Sequence, residues 1–206
     1  MKRCVIIGGA PIADYEKIKE YLRADDYFIC CDCGLDHAEG LGITPDLIVG
    51  DFDSHEKPET DTETITLPRE KADTDTYYAA KEGIKRGFDD FLIIGGAGGR
   101  IDHTLANIYL LYFLYERNKK AVMIDDFSEM EIAGSNPVYV SDDYPYFSLV
   151  NIAGKAEGIT IKNAKYPLDG ESITPGYQYG FSNEVLPGKR AEITVKEGSL
   201  LLVKDR

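Results

Sequence analysis

Five short apolar runs constrain this chain more than any other feature: CVIIGG (4–9), YFICCD (27–32), DLIVGD (46–51), FLIIGG (91–96) and AVMID (121–125). Nearly continuous apolar character over so short a length is the pattern of strands covered on both faces by helices. Helical spacing fills the gaps near residues 14–24, 34–41, 74–86 and 102–117. In the last of these, Leu105, Ile108, Leu111, Tyr112 and Tyr115 recur at three- to four-residue spacing and predict the buried stripe. The alternation predicts an α/β N-terminal domain with a doubly wound, mostly parallel sheet.

Beyond about residue 130 the helical pattern stops. VYVSDD, YFSLVNI, GITIKNA, AEITVKEG and SLLLVKD are short strand candidates punctuated by Gly and Pro, which predict a smaller all-β sandwich domain. The expected domains are 1–130 and 131–206. One long stretch, 54–71, reads as an irregular connection rich in acids and threonines, of the kind that can close as a lid.

The chain carries 36 acidic against 23 basic residues, a formal net charge of −13. That argues against a nucleic-acid or anionic-membrane partner, while a polyphosphate remains acceptable if a divalent cation stands between. No window approaches the roughly 18 apolar residues of a membrane helix, and the apolar run in MKRCVIIGGAP stops short of a signal peptide. A cytoplasmic location is expected. Cys30 and Cys33 have metal or redox spacing, but Cys4 opens its strand where the others close theirs. In a parallel sheet that separates them by about 15 Å. The cysteines therefore read as structural thiols without disulfides.

The chemistry gathers at strand ends. GGAP, CDCG, GDFDS and GGAGGRIDH follow the first four strands, so a parallel sheet delivers all of them to the one edge where open α/β folds bind ligands. In GDFDS, Asp51 and Asp53 stand one residue apart and project to one side of an extended chain, a hard oxygen pair suited to magnesium. KADTDT places Asp73, Thr74 and Asp75 at the start of a helix, where they either cap it or share that metal. Lys71 stands ready to meet a phosphate. Gly95, Gly96, Gly98 and Gly99 offer bare backbone N–H groups before a helix, and Arg100 adds a fork for phosphate oxygens. Asp102 and His103 can bind metal, orient substrate or cap the helix. These parts suit transfer or hydrolysis of a phosphoryl or diphosphoryl group and leave the acceptor open.

In that order GDFDS, Lys71 with Thr74 and Asp75, GGAGGRIDH and the late FSNE (181–184) resemble the thiamin pyrophosphokinase family, over nearly the whole chain. The resemblance implies transfer of diphosphate from ATP to the thiamin hydroxyl, giving thiamin diphosphate and AMP. It implies Mg2+, with Asp51, Asp53 and Asp75 as ligands and catalytic residues beside Arg100 and Asp102. For ATP it implies Asp32, Ser54, Lys71, Asp73, Thr74, Gly96, Gly98, Gly99 and His103, in an ATP-binding catalytic domain over 1–130. The β domain, 131–206, would bind thiamin through Ser182 and Asn183, with Tyr166 where an aromatic is expected. The family also implies a homodimer whose active site joins the nucleotide domain of one chain to the β domain of the other. Two departures stand out. Ala72 occupies the position of a family aspartate, with Asp73 beside it, and the chain contains no tryptophan.

Two other readings fit parts of the pattern. A haloacid dehalogenase-type phosphatase would use Asp51 as nucleophile and Asp53 as acid/base, but gives the glycine loop and Arg100 no part. A catalytically silent nucleotide or thiamin sensor would bind without turnover.

Overall fold

The computed structural model describes residues 2–52, 59–70 and 72–206. Two compact units divide it, Met1–Asp126 and Phe127–Arg206.

Among the described residues, the first unit has six parallel strands: β1 (Cys4–Ile7), β2 (Tyr27–Cys31), β3 (Leu47–Gly50), β4 (Glu63–Thr66), β5 (Asp90–Ile94) and β6 (Lys120–Ile124). Their order is β4-β3-β2-β1-β5-β6. Strand side chains alternate between faces. On one face Val5, Ile7, Cys30, Leu92 and Ile94 pack with Ile18 of α1 (Tyr15–Lys19) and Leu41 of α2 (His37–Leu41). On the other, Cys4 and Phe91 meet α3 (Asp75–Lys85) at Gly83, where a Cβ would fall 2.7 Å from the Phe91 ring. α4 (Ile101–Tyr115) lies beside α3 and β6. Burial on both faces is what makes these strands read as unbroken apolar runs. All four cysteines are free thiols. Burial pushes Cys30 up to about 12 and raises Cys4 and Cys31 as well.

Three expectations need correction here. The stretch 54–71 is not wholly irregular, since Glu63–Thr66 forms β4. As an edge strand with half-exposed Glu-Thr-Ile-Thr, it has no apolar run to betray it. The first helix is much shorter than 14–24, and the second begins as a 3₁₀ turn over Asp32–Asp36. The buried stripe of α4 is also rotated. It is Asn107, Leu110, Leu111 and Leu114, while Leu105 is 49 % exposed. α4 is apolar nearly all round, so its periodicity does not choose a face.

The second unit pairs its strands antiparallel. β7 (Ser128–Ala133), β9 (Phe147–Val150), β12 (Gly180–Asn183) and β14 (Leu200–Asp205) lie in the order β12-β9-β14-β7. β8 (Val138–Ser141), β10 (Ala156–Lys162), β11 (Leu168–Ile173) and β13 (Arg190–Glu197) form the order β11-β10-β13-β8. Phe147, Leu149 and Leu202 from the first set share a core with Ile159, Ile161, Ile193 and Val195 from the second, a small sandwich. β7, β11 and β12 had no sequence counterpart: β11 and β12 are largely exposed, and two glutamates interrupt the apolar character of β7. No helix among the described residues is long and apolar enough to cross a membrane.

From β1 the chain runs outward through β2, β3 and β4, then returns to β5 on the other side of β1. The loops leaving β1 and β5 meet at this reversal, with Gly8 N–H donating to Ile94 O (2.8 Å) and Ala10 N–H to Gly95 O (2.9 Å). Neither glycine has room for a side chain. A Cβ on Gly95, whose φ is 61°, would lie 2.3 Å from Gly8 O, and one on Gly8 would lie 2.6 Å from Gly95 O. Gly95→Ala is expected to cost roughly 2 kcal/mol or more. The thermal midpoint should fall by about 4 °C or more, read by differential scanning calorimetry.

Candidate active site

A cavity of about 530 Å³ opens at this reversal, where doubly wound sheets bind ligands. Gly8, Gly9, Ala10 and Pro11 line it from β1, Asp32 and Cys33 from β2, and Asp51 from β3. Thr74, Asp75 and Thr76 enter from the start of α3, and Gly96, Gly98, Gly99, Arg100, His103 and Asn107 from the loop after β5 and from α4.

Backbone strain marks the carboxylate side. Asp32 and Phe52 hold φ values of 43° and 52°, a region non-glycine residues rarely enter and one that recurs at functional sites. Asp32 Oδ2 accepts from Cys33 Sγ–H at 3.3 Å, while its buried Oδ1 has no hydrogen-bond partner among the described residues. Burial and that hydrogen bond push the Cys33 thiol up to about 11. Cys33 is thus part of the cavity wall rather than a core thiol. β3 ends at Gly50 and Phe52 is left-handed, so the chain is not extended across the GDFDS pair and strand alternation does not govern it. Asp53, Ser54 and Lys71 lie outside the described residues.

At the start of α3, Thr74 is the N-cap, its hydroxyl accepting from Tyr77 N–H at 3.3 Å, and Asp75 begins the helix. Asp73 is not brought to the cavity wall. Its carboxylate pairs with Lys81 Nζ at 2.8 Å. Among the described residues no three His, Cys, Asp or Glu side chains gather as a metal cluster.

The glycine loop is less bare than its sequence suggests. Gly98 and Gly99 hold φ values of 107° and 64°, and Gly98 N–H donates to Thr104 Oγ1 (3.1 Å), which takes one expected anion donor. Arg100 and Asp102 are both exposed and form a two-toothed pair, at 3.2 Å and 2.6 Å. His103 N–H also donates to Asp102 (3.0 Å). The Arg100 hydrogen bond holds the Asp102 carboxyl down at about 2. Sequence reasoning missed two supports of this site. Asn107 and Thr76 are buried and bonded to each other and to the loop. His37 Nε2–H donates to Ala10 O (3.0 Å), while Nδ1 lies 2.8 Å from Tyr15 OH, tying the loop after β1 to α1 and α2. The one sign of Asn107 in the sequence was a polar residue within an apolar helix.

In the second unit, Tyr166 is 57 % exposed. Asn183 clasps its backbone, accepting from Tyr166 N–H (3.0 Å) and donating to Tyr166 O (2.8 Å). With its amide so engaged, Asn183 supports the tyrosine. Ser182 is exposed on β12 with φ 51°. Lys165 Nζ lies 5.6 Å from the Tyr166 ring centre.

Residues 18–123 match the family model described as the thiamin pyrophosphokinase catalytic domain, and residues 137–200 match its vitamin B1 binding domain. The chain belongs to the thiamin pyrophosphokinase family. It is 28% identical over 212 residues to a thiamine pyrophosphokinase from Bacillus subtilis, with 99% of each chain covered. The crystal structure of thiamine pyrophosphokinase from Bacillus subtilis superposes with a TM-score of 0.88 at 26% identity over 99% of each chain. A thiamin pyrophosphokinase from Candida albicans shares the fold, with a TM-score of 0.77 at 15% identity over 99% of this chain and 88% of that one. Neither the phosphatase nor the silent-sensor reading finds support among these matches.

Within this thiamin pyrophosphokinase family fold, the Arg100–Asp102 pair sets a pH limit. The folded pKa of Asp102 lies below the usual 3.8, so the pair stands complete above that value and is lost as pH falls through about 2. A carbon-13 titration of the Asp102 carboxyl should show its midpoint near 2, returning toward 3.8 in Arg100→Ala.

Proposed function

We propose that this chain transfers the diphosphate of ATP to the hydroxyl of thiamin, releasing AMP, and that it does so with magnesium as a homodimer. The observation that carries this reading is the cavity at the sheet reversal. It is lined by Asp32, Asp51 and Asp75 together with the glycine loop and Arg100, in a chain matching both domains of the family.

The donor set suits the metal. Carboxylate oxygens are the ligands magnesium prefers, and the buried Asp32 Oδ1 lacks a hydrogen-bond partner among the described residues. Asp51 and Asp75, with Asp53, would hold the ion. When bound it would neutralise charge on the triphosphate oxygens.

The chain's own groups do the rest. Gly96, Gly98 and Gly99 allow backbone to approach the phosphates closely, and Arg100 turns its fork from Asp102 to phosphate oxygens. Thr74, His103 and Asp32 complete the ATP wall, with Ser54 and Lys71 proposed beside them and Asp73 held back by Lys81. The thiamin hydroxyl attacks the β-phosphorus in line with the departing AMP. Asp102, once Arg100 has left it, and Asp75 are the two candidate acceptors of the hydroxyl proton. A loose transition state asks little of either base. Tyr166 offers a π-face to the cationic thiazolium, with Ser182 beside it and Asn183 behind. In a homodimer these would come from the partner's β domain, completing the site.

The deciding assay mixes protein, ATP, magnesium and thiamin. Thiamin diphosphate and AMP should form one-for-one and vanish with EDTA or without thiamin. Thiamin monophosphate with ADP would overturn diphosphoryl transfer. Asp75→Asn should lower kcat by about 100-fold or more without altering circular dichroism. Tyr166→Ala should raise the KM for thiamin roughly three- to tenfold and leave that for ATP in place. Sedimentation equilibrium should return twice the chain mass.

A further inference from the structure

Asn107 and Thr76 have no role in the reaction as drawn, yet both are buried in the cavity wall, 6 % and 8 % exposed. Buried amides and hydroxyls are costly unless fully hydrogen-bonded. Here the bonding has one direction. Gly96 O can only accept, so the Asn107 atom 2.8 Å from it is Nδ2. That leaves Asn107 Oδ1 facing Thr76 Oγ1 at 2.7 Å, and Thr76 must donate its single proton there. Thr76 therefore accepts from the Thr74 hydroxyl, 3.1 Å away, and Thr74 accepts from Tyr77 N–H. Every donor points from the first turn of α3 toward the glycine loop.

The chain joins the two halves of the site. Its α3 end caps the helix at the position before Asp75. Its other end grips the carbonyl of Gly96, where a Cβ would fall 2.7 Å from Met123 Sδ and 3.5 Å from Asn107 Nδ2. The Thr74 hydroxyl proton is spent inside this chain, so it is not available to a phosphate.

We infer that Thr76 and Asn107 are positioning residues, a one-way hydrogen-bond relay that sets the carboxylate-bearing start of α3 against the phosphate-binding loop at 95–99. Neither touches the reacting atoms. The inference rests on the diphosphoryl-transfer reading and names what holds its two electrostatic halves in register. The apolar contacts of α3 and α4 with the sheet do not depend on the relay, so its loss should loosen the site while the fold persists.

Thr76→Val keeps the shape and removes the hydroxyl, and Thr76→Ser keeps the hydroxyl. Thr76→Val should lower kcat/KM for ATP on the order of tenfold or more, with the KM for thiamin unmoved. Thr76→Ser should recover most of that loss. Asn107→Leu should match Thr76→Val, and the double variant should be little worse than either single one, because a relay breaks once. Wild-type kcat/KM in Thr76→Val, equal loss in Thr76→Ser, or losses that multiply in the double variant would each overturn the relay. If Asn107→Leu does not fold, the two Thr76 variants decide alone. If the wild type makes no AMP, the functional reading fails, and ATP affinity by calorimetry tests the relay by itself. Equal affinity in wild type and Thr76→Val overturns it, and absence of ATP binding in the wild type overturns both.

Discussion

Two peptide backbones touch where β1 and β5 part, and the site depends on that contact. Gly8 and Gly95 approach so closely that a methyl group on either would strike the other's carbonyl oxygen. Among the described residues, only there do neighbouring parallel strands send their connections to opposite sides, and the cavity opens at that point. With both ends of the crossing held, by Gly8 N–H on Ile94 O and Ala10 N–H on Gly95 O, the glycine loop leaves the sheet in a set direction.

Charge arranges the rest. The cavity gathers Asp32, Asp51 and Asp75 in a chain of formal net charge −13, a wall that would repel a polyphosphate by itself. Glycine backbone and Arg100 line the same cavity. Arg100 is occupied by Asp102 and both are exposed, so the pair is screened by solvent and the guanidinium can leave at small cost. Thr76 and Asn107 stand in contrast, since both are buried and find their partners inside the protein.

Much of this was legible beforehand, for physical reasons. Strands covered on both faces must be apolar throughout, so β1, β2, β3, β5 and β6 announced themselves; strand ends named Asp51, Gly96 and Arg100 as neighbours, and a helix start added Asp75. β4 was hidden because an edge strand needs no apolar run. The face of α4 was hidden because the helix is apolar nearly all round, and its rotation follows Asn107 into the core. Asp73 looked like Asp75 in the sequence, yet Lys81, eight residues on, turns it away.

The sequence by itself determined the layer order, the strand ends that carry chemistry and the acid, glycine and arginine types found there, because burial and backbone freedom act locally on each segment. The tertiary structure alone decided which of those groups share a wall. It set Asp32 with one carboxylate oxygen unsatisfied among the described residues, committed the Thr74 hydroxyl to Thr76, and used Asn183 to hold Tyr166. The last two depend on partners from elsewhere in the chain, Asn107 for Thr76 and Asn183 for Tyr166, which are brought within reach only by the tertiary fold.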